Sequence, residues 1–181
     1  MGEYILSINR DYSSESPAPE MTEVARIVNS TNESSYIPIV FIGNSYPESP
    51  WKIRAIKLFN SNKERIPVIA IRNEYLNLLY KKPILFQTIA LHETGHILNG
   101  DLDDEERLDT ANDARTTCVF LGLVEPHELN ADRFSVEQVG KSAVMNALDY
   151  LIQERKKRPY DPGRELAIKE FENRKKAIKK L

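Results

Sequence analysis

Apolar and polar positions divide the chain into a strand-rich first half and a helical second half. Residues 3–9 alternate in polarity and predict a strand. Residues 11–20, rich in Ser, Pro and Glu, predict a loop. Met21, Val24, Ala25, Ile27 and Val28 recur at near-helical spacing and predict a short helix over 20–29. The run 36–43 is strand-like, and Pro38 argues for an edge or early position in it. Two prolines make 44–50 a loop, 51–60 fits a short helix, and 66–72 is a second strong strand. From about 74 onward the pattern is helical. Pro83 suits a first helical turn. Residues 84–98 are apolar almost all round, as in a buried central helix, and Asn99-Gly100 is a stop signal. Glu125-Pro126 opens a helix that stops at Gly140, another covers 141–157, and Asp161-Pro162 opens a charged helix to the C-terminus. The fold class expected from this order is α+β: a small mixed sheet in the N-terminal half, packed on the buried helix, with a helical C-terminal half.

Composition narrows the chemistry. The chain has 181 residues, 41% hydrophobic and 29% charged, in the range of a globular domain with a core of its own. A net charge of -2 points to neither nucleic acid nor a membrane surface. No stretch has the apolar length of a membrane span, and the first residues lack the basic and apolar regions of a signal peptide. Leu6 breaks the myristoylation pattern. A cytoplasmic location is therefore expected. The one cysteine, Cys118, lies in an apolar run and reads as a core residue, so any metal site must use His and carboxylate ligands.

Two of the three histidines, His92 and His96, lie four apart on the buried helix, with Glu93 after the first. That spacing puts both imidazoles on one face, within reach of a single ion at roughly 2.0–2.1 Å. Glu93 then stands beside the ion, where it can take a proton from activated water. The pattern also arises by chance, but two histidines and a glutamate on an apolar helix are costly to bury without partners, and an ion would be one. The metzincin arrangement, with a glycine at 99 and a histidine at 102, is excluded by Asn99 and Leu102. Glu128 and Asp132, four apart on a later helix, are a candidate third ligand and a candidate acceptor for a ligating histidine's outer N–H. Acids of 101–113 are rival ligands: Asp101, Asp103, Asp104, Asp109 and, best placed of these, Asp113. An acid in a helix's first turn is also favoured by the helix dipole alone. His127 reads first as a surface residue and second as a transition-state donor, with Tyr75, Tyr80, Arg133 and Tyr150 as other candidate donors. Acids interrupt the basic C-terminal run, so a solvated helix face is expected there rather than a nucleic-acid contact.

The motif His92-Glu93-Thr94-Gly95-His96, followed by Glu128-Leu129-Asn130-Ala131-Asp132-Arg133-Phe134-Ser135, resembles the HExxH and E-x-x-A-D pair of gluzincin zinc peptidases. The second run is similar to that of the HtpX-like and ImmA/IrrE-type peptidases, and the resemblance covers about 85–140. The missing membrane helices favour the soluble ImmA/IrrE type. The resemblance implies a zincin-like fold, with 1–158 a metallopeptidase domain and 159–181 a charged helix of the same domain or a docking extension. It also implies one Zn2+ held by His92, His96 and Glu128, with Glu93 as general base of a metalloendopeptidase. The substrate implied is a protein or peptide, such as a transcriptional regulator. The contrasting expectation is a metal-containing interaction module that binds a repressor or nucleic acid without catalysis. The intact Glu93 argues against it, because a scaffold has no use for a general base.

Overall fold

The fold is described from a computed structural model covering residues 2–12, 19–43, 53–60, 62–102 and 116–181. The structure is α+β. Five strands among the described residues are β1 (Tyr4–Ile8), β2 (Thr22–Asn29), β3 (Asn32–Phe41), β4 (Ile53–Phe59) and β5 (Arg65–Ile71). They form one mixed sheet in the order β1-β2-β3-β5-β4. Only the β3–β5 pairing is parallel. Four helices follow: α1 (Asn73–Lys81), α2 (Pro83–Leu98), α3 (Pro126–Lys156) and α4 (Pro162–Lys180), with a short helical turn at 116–120. None of the described helices is long and apolar enough to cross a membrane.

Two segments expected as helices are strands. The first is β2. Its register advances from Glu23↔Val40 to Ala25↔Ile39, so Val24 is an extra residue, a β-bulge. The bulge lets the neighbours Val24 and Ala25 both be buried, and the spacing then imitates a helical period. The second is β4, within the expected helix 51–60, of which 51 and 52 lie outside the described residues. Every residue of β4 pairs with β5, from Ile53↔Ile71 to Phe59↔Arg65. Pairing across the sheet decides its state, not local pattern. The link between β4 and β5 is fixed by Asn60, whose Oδ1 accepts from the Asn62 and Glu64 N–H groups.

Pro38 lies on an interior strand, not an edge one. It faces Arg26 of β2, and the pairs with β5 begin only at Ile39, so its missing N–H falls where β3 has a partner on one side. The strand over 65–71 is interior as well, between β3 and β4; the outer strand on that side is β4. The expected loop at 44–50 and most of that at 11–20 lie outside the described residues.

Helix α2 is buried as its all-round apolarity predicts. Phe86, Ile89, Ala90 and Leu91 join Ile27, Ile39, Ile69, Ile71 and Leu79 in the main core. On its other side α2 packs against α3. Gly95 makes the approach close: a Cβ there would stand 2.8 Å from the Cα of Ala131. Helix α3 starts with Glu125 accepting from the Glu128 N–H and with Pro126 in its first turn. It kinks at Gly140, which has φ 82° and ψ 158°. Helix α4 is capped by Asp161 and packs along α3, with Ile178 against Val144 and Leu148.

Candidate metal centre

The contact of α2 with α3 sets two pairs of side chains against each other. His92 and His96 come from α2, Glu128 and Asp132 from the first turns of α3. Gly95 and Ala131, at the contact, let the backbones come near enough for the side chains to meet. One nitrogen of each histidine and a carboxylate oxygen of Glu128 all lie within 4.8 Å of one another, a group that could hold a metal ion.

Hydrogen bonding fixes which nitrogen faces the centre. His92 Nδ1 is 3.0 Å from Asp132 Oδ1, and His96 Nδ1 is 2.8 Å from Asp101 Oδ2. An ionised carboxylate can only accept, so both Nδ1 atoms carry the proton. In a neutral ring, Nε2 then holds a lone pair. The two Nε2 atoms are 3.1 Å apart, and Glu128 Oε2 is 3.1 Å from that of His92. Glu128 Oε1 lies 3.9 Å from His96 Nε2. Three electron-pair donors therefore lie close together, with the Arg174 guanidinium beside two of them. A tetrahedral site with metal–nitrogen bonds near 2.05 Å would have ligand atoms about 3.3 Å apart; the His92–His96 and His92–Glu128 separations are near that, and the His96–Glu128 separation is longer.

Burial is the largest influence on His92 and pushes its pKa down, as does Arg174. Hydrogen bonds to Asp132 and Glu128 outweigh both and carry it up to about 9. Burial pushes the Asp132 carboxyl the other way, but the Arg174 guanidinium and His92 hold it below the usual carboxylate range.

Arg174 is the residue sequence reasoning missed. It reaches in from α4 and is 5% exposed. Its Nε and Nη2 donate to the two oxygens of Asp132, at 2.9 and 2.6 Å, and Nη1 lies 3.0 Å from Glu128 Oε2. Nη2 also lies 3.0 Å from His92 Nδ1, which shares Asp132 Oδ1 with it, and 3.3 Å from His92 Nε2. No sequence signal separated Arg174 from the basic residues around it, of which Lys169, Lys176, Lys179 and Lys180 face solvent. Asp101, weighed only as a rival ligand, instead supports His96 through Nδ1. It also contacts His127, whose Nδ1 lies 2.6 Å from Asp101 Oδ1. His127 is therefore turned to Asp101 and, at 3.7 Å, to Glu125. It is not among the residues lining the cavity described next. Asp103, Asp104, Asp109 and Asp113 lie outside the described residues.

The centre opens on a cavity of about 320 Å³. Glu93 lines it, and its Oε2 accepts from the backbone N–H of Ala55 at 2.8 Å. That N–H therefore points off the outer edge of β4, away from β5. Tyr75 and Tyr150 also line the cavity. Burial and the neighbouring Glu93 charge both raise the Tyr75 pKa, so its phenol stays protonated. Tyr80 and Arg133 do not line it, and Arg133 is exposed. Leu78, Ile89, Val144 and Leu148 supply apolar lining to the same cavity.

No family model, no curated protein and no solved structure matches this chain.

Proposed function

We propose that the chain is a zinc-dependent peptidase of gluzincin type, with a zincin-like arrangement of helix α2 between the sheet and α3. The observation that carries this reading is the convergence of His92 Nε2, His96 Nε2 and the Glu128 carboxylate beside Glu93, on a cavity bordered by an outer strand. Two imidazoles and a carboxylate are an ordinary zinc set that keeps a position open for chemistry. The resemblance of both motifs to ImmA/IrrE-type peptidases points the same way and suggests a protein substrate.

When bound, the ion would supply Lewis acidity, bringing a water's pKa toward neutrality and polarising a carbonyl. The remaining work belongs to the chain. Glu93 takes the proton from the attacking water and delivers it to the leaving amine. The Ala55 N–H orients that carboxylate through Oε2. Asp132 and Asp101 hold the two imidazoles in the tautomer that leaves Nε2 free to ligate. Tyr75, protonated and lining the same cavity, is a donor suited to the developing oxyanion. The outer edge of β4 offers backbone groups to an extended peptide, which would be held with little demand on its sequence.

The test is cleavage of a mixed peptide library by zinc-loaded wild type and zinc-loaded Glu93→Gln, read by mass spectrometry. The wild type should cut and the variant should be slower by about 10²–10⁴. Equal cutting by both, or none by the wild type, contradicts the proposal.

A further inference from the structure

We propose that Arg174, delivered by the C-terminal helix, is a positioning residue of the metal centre that holds Glu128 and Asp132 together in the arrangement an ion needs. The inference rests on the metal-centre reading of His92, His96 and Glu128.

Two carboxylates are brought side by side here, Asp132 fully buried and Glu128 nearly so. Burying two like charges together is costly unless a cation lies between them. Arg174 is placed to be that cation before any metal arrives. Its guanidinium makes a two-bond fork with Asp132 and uses its third nitrogen on Glu128. A guanidinium is planar and rigid, so it orients Asp132 through the fork and holds Glu128 beside it by charge. Asp132 in turn accepts from His92 Nδ1, and Glu128 faces His92 Nε2. The ligand from α3 and the support for the ligand from α2 thus depend on one side chain from α4.

Helix α4 is anchored well enough to set that position. Ile178 packs on Val144 and Leu148 of α3. Asn173 donates from Nδ2 to the carbonyls of Val119 and Leu123, at 3.3 and 3.4 Å. Phe171, one turn before, lies under the guanidinium with 5.7 Å between the ring centre and Cζ. Asn173 is as buried as its neighbour Arg174 but faces the 119–123 segment, which makes it the natural control.

The experiment loads the full chain with Co2+ and reads its visible absorption and its affinity by competition with a chelator. Variants are Arg174→Lys, Arg174→Met and Asn173→Ala. Arg174→Lys keeps the charge but loses the fork, so it keeps the chain folded if Arg174→Met does not. Both Arg174 variants should bind Co2+ 10–100-fold more weakly, the loss usual when a partner of a metal ligand is removed, with altered visible bands. Asn173→Ala should lose thermal stability and keep wild-type affinity and spectrum. Wild-type affinity and spectrum in Arg174→Lys would overturn the inference and leave the metal centre standing. A wild type that binds no Co2+ would overturn both.

Discussion

Gly95 of α2 packs directly on the backbone of Ala131 in α3. A Cβ at Gly95 would stand 2.8 Å from Ala131 Cα and 3.2 Å from its Cβ and carbonyl oxygen. The contact lies between the two residue pairs that form the centre, His92 with His96 and Glu128 with Asp132.

Gly95→Ala should therefore act as a wedge. The added methyl meets backbone, which cannot turn aside as a flexible side chain could. Overpacking of this kind costs about 1–3 kcal/mol. The two helices must separate, so the histidines move away from Glu128 as well. Chemical denaturation should show the stability loss, and chelator competition should show weaker metal binding. Unchanged affinity would mean that the helix spacing does not set the ligand spacing.

Asp101 and Asp132 should have parallel roles, one behind each histidine. Asp101→Asn and Asp132→Asn each replace a carboxylate with an amide that no longer fixes the Nδ1 proton. Each should weaken metal affinity about 10–100-fold. Asp132→Asn should also cost more stability, because it leaves Arg174 buried without the fork. Chelator competition and thermal melts on the two variants separate these effects.

Glu93→Gln should leave the metal centre intact. The amide oxygen can still accept from the Ala55 N–H, so the side chain keeps its place. Metal content should match the wild type while turnover falls by about 10²–10⁴. Loss of metal together with activity would assign Glu93 to ligation rather than proton transfer.

Metal removal should destabilise the fold, since an ion held by His92, His96 and Glu128 would bridge α2 and α3 and the unfolded chain has no preformed site. With free ion at about a hundred times its dissociation constant, binding adds about 2.7 kcal/mol to the unfolding free energy. Thermal melts with and without a chelator should differ in Tm, and the difference should vanish in His92→Ala.

The parts of the site legible in the sequence are those joined by helical spacing. His92 with His96, and Glu128 with Asp132, each sit one turn apart, so each pair could be placed on a face without knowing the fold. Even the acceptor behind His92 followed from the chemistry of a ligating imidazole. Arg174 could not be found this way. Its partner Asp132 lies 42 residues away, and neighbours such as Lys176 are as solvent-exposed as their charge suggests. Asp101 was visible only as one acid in a run of them. The sheet was half legible for related reasons. Residues 4–8 and 65–71 show their strand character locally, whereas β2 hides its period behind the Val24 bulge and β4 takes its state from β5.

The most direct test of the central claim is anomalous diffraction at the zinc edge from crystals of the chain grown with zinc. The account predicts one strong peak at about 2.0–2.1 Å from both His92 Nε2 and His96 Nε2, with a Glu128 oxygen at bonding distance. No peak there, or a peak whose third ligand is an acid of 101–113 instead of Glu128, would contradict it.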